Sequence, residues 1–347
     1  MAIGDGYSLN WKSALGVGKE TTWGTFATAT AFMEFNSESM DRKLEEKILQ
    51  AVNSQRESFK RILTTETVDG TIEADLNPGA DALVNLLKQA MGGTVATTAI
   101  TVGAYSHVLN IGDMESNKST STATGDMKGV SLQIRKGDYV YNYIGCRVDS
   151  YTIKAEQGAP VMVTFNVVGK TATLTSALST TVTYTDVLPC IFHGVTVVRA
   201  ASIGAITTTA TQETYQSFEL TVQNNIMKDI RQLGSRTVSH LPQGGLNVSL
   251  KFAQRVDTTT AYNVWTSETS TAFGIYLDTN YSIGVANCST YSMFIGIPNA
   301  KLNYSIPKVG GRDGILTHEL NYTCLRENTS TSYAVQLKVN NATANYE

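Results

Sequence analysis

The side chains that most often perform catalysis or bind metals are scattered in this sequence. The four histidines are His107, His193, His240 and His318, and none has a partner at the spacing of a metal-ligand motif. Gly16-Val-Gly-Lys19 approaches a phosphate-binding loop, but that loop needs Ser or Thr after the lysine and Glu20 stands there. The sequence also lacks a G-x-S-x-G nucleophile elbow and a D-x-D-x-D-G calcium loop. These patterns predict no catalytic residue, no metal site and no cofactor.

Aromatic side chains recur at a period of two in Tyr139, Tyr141 and Tyr143. Such a row could stack nucleic-acid bases, but base-stacking platforms are accompanied by basic residues and this one is not. The net charge of the chain is -3, and Lys and Arg are not clustered as in nucleic-acid-binding proteins. We therefore interpret the tyrosine row as one face of a β-strand.

The composition of the 347 residues is typical of an all-β protein with neutral, hydroxyl-rich faces. Charged residues make up only 16% and hydrophobic residues 42%, and Thr, Ser, Asn and Gly fill the difference. Cys146, Cys190, Cys288 and Cys324 form no C-x-x-C pair, which favours buried, reduced thiols in a cytoplasmic setting. We expect neither a signal peptide in Met1–Lys19 nor a membrane-spanning segment.

The elements that would carry any site are mostly strands. Alternating apolar residues predict strands at Thr67–Leu76, Tyr151–Ala155, Val161–Val168, Gly245–Phe252 and Lys301–Ile306. Only one segment, Pro78–Met91, has clear helical spacing. Its apolar stripe consists of Ala82, Leu83, Leu86, Leu87, Ala90 and Met91. Gly92-Gly93 follows as a helix stop.

The two halves of the chain repeat the same order of elements. Each has a strand, a helical segment, a long connection, an Ile-Gly strand, a turn and a returning strand. The Ile-Gly pairs are Ile144-Gly145 and Ile295-Gly296, and the second helical segment is Val256–Ser267. We predict two tandem domains, residues 1–178 and 179–347, joined in the Thr- and Ser-rich run Thr171–Asp186.

A third feature is the charged segment Glu38–Arg61, with eleven charged residues among twenty-four positions. The corresponding stretch of the second half is Gln223–Gln243. Both are open to two interpretations, a solvated surface loop or an arm that docks on a neighbouring subunit through complementary charges. The candidate contact residues are Asp41, Arg42, Lys43, Glu45, Glu46, Lys47, Arg56, Lys60 and Arg61, with Lys228, Asp229, Arg231 and Arg236 in the second stretch.

The beginning of the chain resembles phage tail tube proteins. In that family a G-x-E-x-x-[YW]-G-T stretch precedes a short strand and S-E-S, as in Gly18-Lys-Glu-Thr-Thr-Trp-Gly-Thr25 and Ser37-Glu-Ser39. The strand Val68–Leu76, followed by a helix ending in Gly-Gly, is also similar. The resemblance is fainter in the second half, which has no counterpart of Glu-Thr-Thr-Trp and no Gly-Gly helix stop.

The resemblance implies a mainly β fold of two tandem tail-tube-like β-sandwich or half-barrel domains, each with one short flanking helix. It implies a structural virion protein of long-tailed phages (siphoviruses), made in the bacterial cytoplasm, and not an enzyme. Three copies would form a ring with pseudo-six-fold symmetry, and rings would stack through the charged loops and an N-terminal arm, Gly4–Thr30. The tape measure, tail terminator and tail-tip proteins would be partners, and DNA would cross the lumen without specific binding or a membrane.

Two other functions are compatible with the same features. One keeps the fold but makes the chain a tail-tip or baseplate-hub ring that never elongates. The other is a carbohydrate- or receptor-binding β-sandwich, which would need an exposed aromatic platform.

Overall fold

The structure is a computed structural model, and it describes residues 10–49, 57, 60–92, 95–111, 129–206, 211–256, 260–285, 290–303, 306–307, 316–327 and 333–346. Within these residues the chain forms antiparallel strands linked into one network, with two short α-helices. The predicted mainly β class with two short helices is therefore confirmed.

The strands of the first half are β1 (Ala14–Glu20), β2 (Ala31–Met33), β3 (Ser37–Glu38), β4 (Asp41–Leu49), β5 (Lys60–Asp75), β6 (Ala96–Thr101), β7 (Ala104–Asn110), β8 (Gly129–Lys136), β9 (Tyr139–Ala155), β10 (Met162–Gly169) and β11 (Thr171–Thr175). Those of the second half are β12 (Val195–Ala200), β13 (Thr211–Glu213), β14 (Ser217–Gln223), β15 (Asn247–Arg255), β16 (Thr271–Ser282), β17 (Thr290–Asn303), β18 (Thr317–Cys324) and β19 (Gln336–Asn341). The helices are α1 (Asp81–Ala90) and α2 (Thr260–Thr266).

Strand β9 connects two sheets in the first half. Its beginning lies between β8 and β11, in a sheet ordered β2–β1–β8–β9–β11. Its end continues a second sheet, in which β4, β5, β10 and β9 are neighbours. Helix α1 packs against β1, β2, β8 and β9, so it lies where the two sheets meet.

The strand pairings of the first half recur in the second half. The hairpins β8–β9 and β9–β10 correspond to β16–β17 and β17–β18, and β10–β5 corresponds to β18–β15. The pairs β1–β2, β1–β8, β4–β5 and β11–β9 likewise correspond to β12–β13, β12–β16, β14–β15 and β19–β17. One backbone hydrogen bond recurs 180 positions along the chain, Asn36 N to Glu73 O and Gln216 N to Ala253 O, both at 2.8 Å.

Two ladders join the halves into one network. Strand β14 pairs with β9, and β19 pairs with β7. The hairpin β6–β7 has no counterpart in the described part of the second half. The predicted division into domains 1–178 and 179–347 stays a prediction, because the hydrogen-bonded sheet is continuous across it.

Helix α1 confirms the predicted helix but begins later. Asn77 turns the chain before it, accepting Gly79 N at its side-chain oxygen (2.9 Å) and Ala80 N at its carbonyl (3.1 Å). The predicted apolar stripe is buried, but so are Asn85, Lys88 and Gln89 on the polar face. An apolar stripe on one side predicts a helix whose opposite face is exposed to solvent, whereas α1 is buried on all sides.

One hydrophobic core extends through both halves. Its largest buried side chains include Tyr151, Phe165, Phe252, Phe273 and Leu83. Full burial of an apolar side chain of this size stabilises the folded state by roughly 1.5–3 kcal/mol. The shared core explains why the two repeats of the pairing scheme are held together.

Candidate assembly surfaces

The charged segment Glu38–Arg61 is not the loop expected from the sequence. Glu38 is the last residue of β3, β4 lies wholly within the segment, and β4 pairs with the beginning of β5 from Asp41 opposite Asp69 to Leu49 opposite Lys60. We call β4 and the facing part of β5, residues 41–49 and 60–69, the ribbon. Strand pairing was missed because charged residues interrupt the apolar alternation by which strands are recognised.

Cross-strand ion pairs hold the ribbon together. Lys43 contacts Asp69 at 2.9 Å, and Arg61 contacts Glu46 at 2.8 Å. Thr65 also donates a hydrogen bond to Glu45. Each pair of opposite charges on facing strands stabilises the folded state by a few tenths of a kcal/mol. In the ribbon, ion pairs therefore take the place of apolar cross-strand contacts.

The base of the ribbon is anchored by Glu66, whose side chain is only 5% exposed. Arg42 donates two hydrogen bonds to its carboxylate, at 2.9 and 2.8 Å, and Thr171 donates a third at 2.7 Å. Burial alone would raise the pKa of Glu66, but these bonds outweigh it and hold the pKa below its ordinary value. Arg42 therefore has a structural partner within its own chain.

Beyond its base the ribbon is exposed on both faces. Every side chain from Asp41 to Ile48 is exposed, and so are Lys60, Arg61 and Ile62. Within the described residues β4 pairs with β5 alone. Large apolar side chains stand among the charges, with Leu44 at 41% exposed, Ile48 at 60% and Ile62 at 45%. An isolated two-stranded ribbon is only marginally stable in water. Contact with another protein surface would therefore stabilise this one.

The second charged stretch, Gln223–Gln243, packs on the first half of the same chain. Lys228 contacts Asp149 at 2.8 Å, and Arg231 contacts Asp229 at 3.0 Å. Arg231 also donates to the carbonyl of Glu66, and the amide of Glu66 donates to the carbonyl of Arg236 (3.0 Å). These charges serve contacts inside the chain, and a role between subunits stays a prediction for them.

Most predicted contact residues lie on the ribbon, as one exposed group. Asp41, Arg42, Lys43, Glu45, Glu46, Lys47, Lys60 and Arg61 are all part of β4 or β5. Arg56 lies outside the described residues. The structure does not bring the ribbon residues together with Lys228 or Asp229 in an ion pair between described residues.

The expected arm at Gly4–Thr30 is wrong for its central part, Ala14–Glu20. Residues Ala14–Glu20 form β1, which lies between β2 and β8 inside the sheet. Ala14, Leu15 and Val17 are fully buried. Leu15 and Val17 alternate as in a strand, but the glycines at positions 16 and 18 between and after them obscure the pattern. Residues 4–9 lie outside the described part.

The motif around Glu20 and Trp23 has a structural role. Glu20 is 1% exposed and accepts hydrogen bonds from Ser131 Oγ (2.7 Å) and from the amides of Gly145 (2.7 Å) and Gly24 (2.8 Å). Trp23 Nε1 donates to the carbonyl of Gly145 at 3.1 Å. Burial raises the pKa of Glu20 despite these bonds. The motif fastens the turn after β1 to the bend of β9.

His107 and three of the four cysteines are buried within the fold. His107 is buried and bonds to Asn341 (3.0 Å) and to the carbonyl of Thr343 (2.9 Å). Cys146, Cys190 and Cys324 are buried free thiols, and burial raises the pKa of each. Cys288 lies outside the described residues. Buried thiols of high pKa are poor nucleophiles.

Neither a metal site nor a membrane-spanning helix is present in the described part of the chain. None of its His, Cys, Asp and Glu side chains form a group of three or more that could hold a metal ion. None of its helices is long and apolar enough to cross a membrane. The features that remain to be explained are the exposed ribbon and the open edges of the sheet.

The model of the phage tail tube protein family matches residues 10–324 of the sequence. The chain belongs to the phage tail tube protein family. It is therefore a structural protein of the virion tail and not an enzyme, and tail tube proteins assemble with their own copies into the tube. No curated protein matches the sequence significantly. The family membership confirms the resemblance and selects the tail tube over the tail-tip and carbohydrate-binding alternatives.

Proposed function

We propose that this tail tube protein is of the duplicated type of the long-tailed phages. Three copies would close a ring with pseudo-six-fold symmetry. The observation that carries the proposal is the recurrence of seven strand pairings, in the same connectivity, in the two halves of the chain. A chain with two equivalent modules supplies two of the six positions that single-domain relatives fill with six chains.

We propose that the ribbon joins successive rings. Its exposure on both faces, its balanced charges and its apolar side chains suit a surface that must meet another copy repeatedly along one axis. The contact residues proposed on the ribbon are Asp41, Arg42, Lys43, Glu45, Glu46, Lys47, Lys60 and Arg61. Arg56, which lies outside the described residues, is proposed as a further contact. In Gln223–Gln243 the proposed contacts are Lys228, Asp229, Arg231 and Arg236.

The tube so formed would be a conduit for DNA on its way into the host. We propose the tape measure protein as the partner inside the tube during assembly, and the tail terminator and tail-tip proteins as partners at its two ends. The chain's small net negative charge, -3, suits a wall past which a polyanion slides without being bound.

Electron microscopy of the purified protein tests the ring. We expect stacked rings or tubes in negative stain, and a native mass of three chains for the smallest closed ring. A closed ring of six chains would contradict the duplicated type, and rings that never elongate under any condition would favour a tail-tip role.

Charge reversal tests the role of the ribbon in stacking. The double variant Lys47→Glu with Lys60→Glu, two exposed ribbon lysines, should leave rings that stack poorly, with a mean tube length reduced at least several-fold. Arg42 is left unchanged because it holds Glu66 in its own chain. The control is Lys154→Glu with Lys251→Glu, two strand lysines that each make one exposed ion pair. Equal tube lengths in both variants would rule out stacking through these charges.

A further inference from the structure

The joint between the two halves is a complete interface between equivalent modules. Strand β14 pairs along β9 from Phe218 opposite Ala155 to Gln223 opposite Ser150. Next to this ladder, Asn224 is fully buried, and its side-chain amide donates to the carbonyls of Val148 and Ala90, both at 3.0 Å. Asn224 thus fills the gap between β9 and the end of helix α1.

One side of this joint has a counterpart at the outer edge of the first half. On β5, Ser37 lies opposite Glu73 and Lys43 opposite Thr67. On β15, Ser217 lies opposite Ala253 and Gln223 opposite Asn247, all 180 positions later. Strands β3 and β4 therefore occupy the place of β14, so that Lys43 corresponds to Gln223 and Leu44 to Asn224.

The other side has a counterpart at the end of β17. Ser150 and Val148 pair with Asn166 and Val167 of β10. Asn303 and Leu302 pair with Asn321 and Tyr322, which hold the same positions in β18. Strands β10 and β18 are aligned through their partners β5 and β15: Asn166 lies opposite Thr71, and Asn321 lies opposite Lys251, which is 180 positions after Thr71. Asn303 therefore corresponds to Ser150, and Leu302 to Val148.

The two counterpart edges, the outer edge of β4 and the end of β17, have no neighbouring strand on their free side in the described part of the single chain. The outer edge of β4 has no strand beside it there, and residues 301–303 of β17 pair with β18 alone. Helix α2 and β17 enclose a cleft of about 490 Å³ lined by Val264, Trp265, Lys301 and Leu302. This cleft has the position that Asn224 fills beside α1.

We infer that a second copy of this chain adds at this edge, with its β4 beside the last residue of β17 so that Lys43 lies opposite Asn303. Leu44 of the added copy enters the cleft between α2 and β17. The inference rests on the proposed ring and assigns its joint: the interface inside the chain is repeated between chains.

The side chains at the two joints differ in a consistent way. Asn224 meets backbone carbonyls, whereas Leu44, 41% exposed in the single chain, would meet Trp265, which is 43% exposed. Covering both apolar surfaces is favourable, and it would use the two open edges of the sheet in one contact. Because the contact joins different surfaces of two copies, it is repeated head to tail and can close a ring.

A disulfide between Lys43→Cys and Asn303→Cys in one double variant tests the register. Directly opposite residues of antiparallel strands have Cα atoms about 4.5–5.5 Å apart, within reach of a disulfide. We expect mild oxidation of assembled protein to give covalent oligomers on non-reducing gels, ending at the size of the ring. The internal counterpart, Gln223→Cys with Ser150→Cys, should give a disulfide within one chain. The misregistered pair Lys43→Cys with Lys301→Cys should stay reduced.

The outcomes separate the inference from the proposed ring. If rings form and the internal pair oxidises while Lys43→Cys and Asn303→Cys do not, the joint is wrong and the ring stands. If the wild-type protein forms no ring, the proposed function itself fails. Cross-linking of the misregistered pair with equal yield would also overturn the assigned register.

The variant Leu44→Asp tests the cleft. We expect at least a tenfold loss of closed rings, with single chains accumulating and their Tm unchanged. A defect confined to stacking would instead leave rings intact. Ring formation at the wild-type level in this variant would overturn the placement of Leu44.

Discussion

The two helices occupy equivalent places in the two halves, yet one is enclosed and the other is open. In α1 even Asn85, Lys88 and Gln89 are buried. In α2, Tyr262 and Trp265 remain 48% and 43% exposed. The same order of strands and helix therefore surrounds a buried helix at one site and a half-exposed helix at the other.

The difference comes from segments that only the second half contributes. Beside α1, Tyr346 is buried and its hydroxyl donates to Asp81 at 2.8 Å, while its backbone carbonyl accepts from Lys88 Nζ at 2.6 Å. Asn224 covers the other end of α1. Within the described residues, no comparable segment covers Tyr262 and Trp265 of α2, which stay half-exposed.

The largest effect is expected from removing the cover of α1. Tyr346→Ala should lower the free energy of unfolding of the single chain by about 3–5 kcal/mol, because it empties a buried site and removes the hydroxyl that donates to Asp81. Tyr262→Ala on α2 should cost less than about 1 kcal/mol, because that side chain is half exposed. Urea denaturation of unassembled protein measures both, and similar losses would contradict the contrast.

An intermediate effect is expected at the gap beside each helix. Asn224→Ala should cost about 2–3 kcal/mol, because two buried carbonyls lose their donor. Leu44→Ala, at the corresponding position, should change the stability of the single chain by no more than about 0.5 kcal/mol. Urea midpoints at equal m-values give the comparison. A stability loss in Leu44→Ala as large as in Asn224→Ala would mean that Leu44 is already covered within its own chain.

The smallest effect concerns how the corresponding strands β14 and β4 are held in the sheet. Strand β14 lies between β9 and β15, whereas β4 is held by β5 and by the pair Arg42–Glu66. The pKa of Glu66 is lowered in the folded chain. Its contribution to stability is therefore present above the unfolded pKa, about 4.3, and is lost as the pH falls through the lower folded value.

Hydrogen exchange measures this prediction. Acidification below about pH 4.3 should speed amide exchange in β4, after correction for the intrinsic rate, and leave β14 unchanged. Glu66→Gln should show fast exchange in β4 already at pH 6, with little further change on acidification. An equal increase in amide exchange on acidification in β4 and β14 would contradict this difference between the two strands.

Regular patterns predicted their elements well. The alternation in Val161–Val168 gave β10 to within one residue, and the stripe in Pro78–Met91 gave α1 to within three residues at its start. The ribbon was missed because its faces carry charge in place of alternating apolar residues, although Lys43 and Asp69 are a cross-strand pair. Strand β1 was predicted to be part of an arm and not a strand, because Gly16 and Gly18 interrupt its run of apolar residues.

The sequence by itself determined the β class, the repeated order of elements and the absence of recognisable catalytic motifs, because period-two patterns and residue types are local properties. Only the tertiary structure decided that Glu38–Arg61 contains paired strands, that Gln223–Gln243 packs on the first half, and that α1 is enclosed while α2 is open. Those facts depend on which distant strands become neighbours. Asn224 and Leu44 show the consequence, since equivalent positions are buried or exposed according to what lies across from them.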